Sequence, residues 1–274
     1  MKILIAADME GISGVVSWSQ VDPANAEYSR FRRLMTMEVN AAIQGAFEGG
    51  ATEVVVADGH NLGSNILIEE IDPRARLNSG TGSPFAMVEG IGENVSGVFF
   101  IGYHARAGTQ NAILDHTWSS RSVMNVWLNG TLVGEAGLNS AVCGHFGAPV
   151  LLISGDRAAC AEAVELLGPI EAVQVKRASG RFSAECLPPE VSREQIRLAA
   201  IRAVERLAAG KAVPPLKVQT PVKVTLQFPA SEMADSAARL PGASRLDGRR
   251  IEFTASDMPA AYTAFRAAVS LARP

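Results

Sequence analysis

Lys2-Ile3-Leu4-Ile5-Ala6-Ala7-Asp8-Met9-Glu10-Gly11 begins with an unbroken apolar run and stops on two carboxylates. An apolar run with no polar alternation is the pattern of a strand buried on both faces, and such strands belong to parallel sheets covered by helices. In doubly wound sheets the loops at the carboxyl ends of the strands collect the ligand. Asp8 and Glu10 stand two positions apart in that place, so in extended chain they project to the same side. The opening stretch therefore predicts a sheet and already marks its working edge.

Moving outward, the same grammar repeats. A helical pattern over residues 26–48 runs through Phe31, Leu34, Met37, Ala41 and Ala42, and Gly49-Gly50 ends it before a strand at 53–57. Further strands are expected at 98–101 and 149–153, with a helix over 136–146. Asn129-Gly130 between apolar runs at 123–128 and 131–133 is a strong hairpin signal. Alternating strands and helices predict an α/β protein, a three-layer α/β/α arrangement with a mainly parallel sheet. After Gly155 the texture changes to a helix at 158–167, a strand at 172–175, a polar loop at 177–181 and a helix started by Ser192. Beyond the Pro214-Pro215 break come an alternating strand at 218–228, a short helix at 231–238, a strand at 250–254 and a helix begun by Ser256-Asp257. The expectation is a metal-binding α/β catalytic domain over 1–168 and a smaller α+β subdomain over 169–274.

Composition narrows the function. The 274 residues are 47% hydrophobic and 19% charged, as in a globular protein, and a formal charge of −3 with no Lys/Arg cluster offers nothing to nucleic acid. Cys143, Cys160 and Cys186 form no C-x-x-C pair, so a disulfide framework or thiolate metal site is not indicated and a reducing, cytoplasmic setting is expected. The opening apolar run is cut by Asp8 and Glu10 and has no cleavage site, and no segment reaches the ~18 apolar residues of a membrane span. Gly80-Thr81-Gly82 lacks the third glycine of a dinucleotide fingerprint, and no Walker A or G-x-S-x-G motif is present, which disfavours a nicotinamide cofactor or a serine nucleophile.

Three of the four histidines, His60, His104 and His116, fall within one window. His60 follows the second strand in Asp58-Gly59-His60, and His104 follows another in Gly102-Tyr103-His104. One such residue alone would more often be a cap or an idle loop residue. Together, Asp8, Glu10, His60 and His104 at one sheet edge would repel without a cation, and they form a ligand set for zinc and related ions. Glu135 opens a helix, where a carboxylate is also favourable as a dipole partner. Charge favours ligation, because two divalent cations outweigh three carboxylates by a single charge. That is the hydrolytic two-metal arrangement, with Asp8 bridging. His116 reads as ligand, surface residue or, preferred once the ligand count is met, general acid/base. His145, inside a helical stretch, reads as structural.

Asp8-x-Glu10-Gly11, Asp58-Gly59-His60, Gly102-Tyr103-His104-Ala105, His116-Thr117 and Asn129-Gly130 followed by Gly134-Glu135 together resemble the zinc-dependent D-aminopeptidases named for the bacterial dipeptide transport operon. The resemblance spans nearly the whole chain. It implies two zinc ions per chain on Asp8, Glu10, His60, His104 and Glu135, with His116 as the catalytic residue and no other cofactor. It implies an aminopeptidase acting on short peptides containing D-residues, assembled as a closed homodecameric ring around an internal chamber. Ala6 departs from the serine that usually opens the family's first motif. Two other readings compete: a dinuclear-metal hydrolase of another amide or a phosphoester, and a non-catalytic metal-binding module. The lack of an evident Arg/Lys clamp weighs against phosphate, and the carboxylate-rich ligand set weighs against a structural metal.

Overall fold

In the computed structural model, which describes residues 1–92 and 94–272, the opening run forms β1 (Lys2–Ala7), buried from its second residue onward. It is followed by α1 (Tyr28–Glu48), β2 (Glu53–Asp58), β3 (Arg76–Asn78), β4 (Gly97–Tyr103), β5 (Asn125–Leu128), β6 (Thr131–Val133), α2 (Glu135–His145), β7 (Val150–Asp156) and α3 (Arg157–Leu167). The rest comprises β8 (Glu171–Gly180), β9 (Ser183–Cys186), α4 (Pro189–Ala208), β10 (Val222–Gln227), α5 (Ser231–Ala237), β11 (Ser244–Arg245), β12 (Arg250–Ala255) and α6 (Met258–Leu271).

The larger sheet has the order β3-β2-β1-β4-β7-β8-β9, parallel except for β9 at its edge. Along β1 the two-residue side-chain period sends Ile3, Ile5 and Ala7 to one face and Leu4 and Ala6 to the other. On the first face α1 and α4 pack through Phe31, Met35, Val39, Ile196, Ala200 and Val204. On the second, Leu138 and Val142 of α2 and Ala163 of α3 share one continuous core with Val224, Leu226, Phe253 and Phe265. The last four belong to β10, β12 and α6, around the second, antiparallel sheet of order β11-β12-β10-β5-β6. Both faces of the central strands are covered, as the sequence of β1 requires.

Several local expectations are revised. The polar stretch at 177–181 is not a loop: β8 runs on to Gly180, turns at Arg181-Phe182 and pairs back through β9, with Arg177 opposite Glu185 and Ala178 opposite Ala184. In this stretch exposed Arg177 and Ser179 alternate with half-buried Ala178 and Gly180, as on a sheet edge with one wet side. The helix expected from Ser192 begins at Pro189, because a proline in the first turn lacks only an N–H that would be unpaired there. Ser192 instead points inward, its hydroxyl donating to Glu38 Oε1 at 3.0 Å. The strand expected over 218–228 shortens to β10, and β3 was not foreseen. Each sheet takes strands from both sides of residue 168, the expected boundary between the two domains. Residues 273–274, the end of the expected second subdomain, lie outside the described residues.

Candidate metal centre and its cleft

The register of the larger sheet brings three strand ends together: Ala7 pairs with Asp58 on one side and with Ile101 on the other. Asp8 and Glu10 follow β1, His60 follows β2 and His104 follows β4, so all four emerge on one edge. The chain must pass very close to itself there. The Asp8 N–H donates to Ile101 O at 2.8 Å and the Gly11 N–H to Gly102 O at 2.7 Å. A Cβ on Gly11 would overlap the Tyr103 carbonyl, and one on Gly102, whose φ is +75°, would overlap the Asp8 carbonyl. Only glycine permits both the dihedral and the contact.

Glu135 arrives from the first turn of α2, across the second face of the sheet. His116 arrives on the segment between β4 and β5, with Leu114 and Trp118, two non-glycine residues at φ of +48° and +64°, on either side. Left-handed backbone at such residues is held by its surroundings and clusters at functional sites. Here the Trp118 N–H donates to Glu135 Oε1 at 2.7 Å, and the Leu114 N–H to Arg181 O at 3.1 Å.

All six predicted residues meet in one cluster, each no more than 9% exposed. The two oxygens of Asp8 divide between the histidines: Oδ1 lies 3.2 Å from His60 Nδ1 and Oδ2 lies 3.3 Å from His104 Nε2. Glu10 Oε2 is 3.1 Å from His60 Nδ1, and Glu135 Oε1 is 3.0 Å from His104 Nε2. His116 stands further back, its Nε2 3.9 Å from Glu10 and 3.7 Å from Glu135, with its ring stacked on that of His104 at 3.8 Å and edge-on to Trp18. Ligand atoms of Asp8, Glu10 and His104, and separately of His104, His116 and Glu135, lie within 4.8 Å of one another. His145 ends α2 exposed, beside Phe146 and away from the cluster.

Each imidazole turns its outer nitrogen to a backbone carbonyl: His60 Nε2 to Val21 at 2.8 Å, His104 Nδ1 to Ala105 at 3.0 Å and His116 Nδ1 to Leu114 at 2.8 Å. A carbonyl only accepts, so the proton of a neutral ring sits on that outer nitrogen and the inner lone pair faces the carboxylates. This is the carbonyl–histidine arrangement that orients metal ligands. Glu10 Oε2 and His104 Nε2 are buried with no hydrogen-bond partner, although oxygen or nitrogen lies about 3 Å away. The short distances are therefore convergent rather than directional, as around a shared cation.

Electrostatics separates the imidazoles. Burial alone would lower His60 and His104, but Glu10 and Asp8 beside the first, and Glu135 and Asp8 beside the second, outweigh it and hold both well above the ordinary histidine value. For Asp8, burial opposes ionisation, yet the two histidines bring its carboxyl well below the usual range. His116 goes the other way: burial and the neighbouring His104 lower it. Two rings thus attract positive charge, while the third remains neutral.

A cleft of about 730 Å³ opens above the cluster, with Trp18, Asp22, Met87, Trp118, Arg121 and Arg266 in its walls. The two arginines were not evident from the sequence, because Arg266 lies far away on α6. Its Nη1 donates to the carbonyls of Ser83 and Pro84 at 2.8 and 2.7 Å, which joins α6 to the loop over the cleft. Sequence reading also missed Lys176, whose buried ammonium donates to Glu10 O, Ile12 O and Val15 O. The one available signal was a charged residue directly following the apolar β8 residues Val173 and Val175.

The family model described as D-aminopeptidase matches residues 1–267. A D-aminopeptidase of Bacillus subtilis (strain 168) is 36% identical over 273 residues, covering 99% of this chain and 98% of that protein. Among solved structures, the Zn-dependent D-aminopeptidase DppA from Bacillus subtilis, described as a self-compartmentalizing protease, superposes with a TM-score of 0.94 at 35% identity. That match covers 99% of this chain and 98% of the other.

Proposed function

The chain belongs to the D-aminopeptidase family, and on that premise we propose that its buried cluster holds two zinc ions and hydrolyses the N-terminal peptide bond of short peptides, D-residue-containing ones in particular. Asp8, Glu10 and His60 would hold one ion and Asp8, His104 and Glu135 the other, with Asp8 shared. The observation that carries this reading is the pair of buried, unpartnered atoms Glu10 Oε2 and His104 Nε2, set among imidazoles whose other nitrogens are all committed to carbonyls. Zinc in such a site polarises the scissile carbonyl and acidifies the attacking water.

The remaining work falls to the chain. His116 has its Nδ1 proton committed to Leu114, so Nε2 is the nitrogen free to take a proton and return it to the leaving amine. Trp18 and Trp118 narrow the approach and exclude bulk water, and Arg121 and Arg266 suit the free carboxylate of a short peptide. The same reading carries a homodecameric ring in the cytoplasm. It is supported by the self-compartmentalizing character of the solved relative and by three free cysteines. No helix among the described residues is long and apolar enough to cross a membrane.

The test is hydrolysis of D-alanyl dipeptides and their L counterparts by metal-stripped and zinc-restored protein. Activity should vanish with the metal, return with zinc and favour the D series; equal turnover by the stripped protein would overturn the reading.

A further inference from the structure

Strand β8 does not alternate where it passes the metal centre. Its pairing with β7 shifts register between Gly155, opposite Gln174, and Asp156, opposite Lys176, so Val175 is an extra residue on that side. Such a bulge can turn two consecutive side chains inward. Val175 and Lys176 are both buried, Lys176 at 3% exposure. The Lys176 ammonium then meets three backbone oxygens: Glu10 O at 2.5 Å, Ile12 O at 2.8 Å and Val15 O at 2.7 Å.

Three carbonyl acceptors require three N–H donors, which a neutral amine lacks and an ammonium supplies. A buried cation held by carbonyls rather than by a paired carboxylate is costly, and a methionine of similar length would fill the space at less cost. What methionine could not do is gather the carbonyls of residues 10–15. That loop has other anchors: the Gly11 N–H donates to Gly102 O at 2.7 Å, the Ser13 N–H to Glu38 Oε1 at 3.1 Å and the Ser13 hydroxyl to Leu187 O at 2.6 Å, but none of these reaches the Glu10 carbonyl.

We infer that Lys176 is a positioning residue for the metal centre, an internal ammonium standing where a loop of converging carbonyls would otherwise bind a monovalent cation, and that it aims the Glu10 carboxylate at the ion shared with His60. This rests on the two-zinc reading above. Asp8, His104 and Glu135 receive no bond from Lys176, so its loss should weaken one ion and spare the other.

The test uses the full-length protein, zinc alone as the probe, and Lys176→Met and Lys176→Ala. Both variants should fold, by circular dichroism, and keep one tightly held zinc per chain while affinity for the second falls roughly 10- to 100-fold, the usual effect of removing a group that supports a ligand. Propylammonium, which carries the three carbons and the ammonium that truncation to alanine removes, should restore the second ion to Lys176→Ala, and 1-propanol should not. Two tight ions in both variants would make Lys176 a bystander. Failure of both to fold would make it a determinant of the fold. Either result overturns the inference, as does equal rescue by propanol. A parent protein that takes up fewer than two zinc ions fails earlier, at the two-zinc reading, and removes this inference with it.

Discussion

His116 stands 3.7–3.9 Å from the carboxylates where His60 and His104 stand 3.0–3.3 Å from them, and burial with the neighbouring His104 lowers it below the ordinary histidine value. Replacing it by alanine should lower kcat by about 10²- to 10⁴-fold, the usual contribution of a positioned acid/base, while metal analysis still finds two zinc ions per chain. Loss of an ion would instead make it a ligand. A second residue controls stability rather than turnover. Burial pushes the Glu38 carboxyl up to about 7, despite hydrogen bonds from the Ser13 N–H and the Ser192 hydroxyl and the field of Lys176. Between its ordinary 4.5 and 7 the folded protein holds a proton that the unfolded chain has released. Stability therefore falls as pH rises through that window, by on the order of 3 kcal/mol for the full shift. In urea unfolding at pH 5 and pH 8, Glu38→Gln should lose less stability between the two than the parent; an unchanged difference would show that Glu38 is not the titrating group. The proposed ligand residues were legible in sequence because each follows an apolar run and belongs to a metal-binding residue type. Lys176 and Glu38 were not, because burial of a charge on β8 or α1 depends on what packs against it, which local pattern does not encode.

At the level of elements, the close approach of the chain at the carboxyl ends of β1 and β4 and the hairpin of β8 and β9 set the site's shape. Gly102→Ala would place an L-residue at φ +75° and its Cβ on the Asp8 carbonyl. The dihedral alone costs about 1–2 kcal/mol and overpacking a further 1–3. The thermal midpoint should fall by roughly 5 °C or more, with weaker zinc binding, since relief of the overlap moves Asp8 or His104. The hairpin acts at its tip. Arg181 Nε meets Asp115 Oδ1 at 2.8 Å, Nη2 donates to Asp115 O at 2.8 Å, and the guanidinium lies over Trp18. It thus grips the residue before His116 from outside. Arg181→Ala should lower kcat more than it raises KM and leave the zinc content at two, measured on the same preparation; a change confined to KM would place Arg181 in substrate binding instead. The helices and buried strands were readable because their periods differ. The hairpin was not, because Arg177 to Arg181 alternates as an edge strand does while its composition is that of a loop.

Across the whole molecule, the centre of the larger sheet reads well from the sequence because β1, β2, β4 and β7 are built on apolar runs, whereas the outer parallel strands β3 and β8 carry polar residues. Membership of the two sheets does not read so well, because β5, which carries β6 on its other side, pairs with β10, whose residues lie about a hundred positions later. A strand's partner is fixed by the faces left uncovered when everything else has packed. Light scattering should return a mass near ten times the 28.9 kDa of one chain; a monomer mass at micromolar concentration would overturn the ring. The long reach of Lys176 also bears on timing. On the ribosome, the lysine that gathers the loop of Asp8 and Glu10 follows 166 positions behind Glu10, a delay of roughly 8 to 30 s at 5–20 residues per second. The helix that walls the cleft is translated later still. A growing copy therefore carries its acidic loop, for that interval, without the lysine that gathers it and without the α6 wall of the cleft.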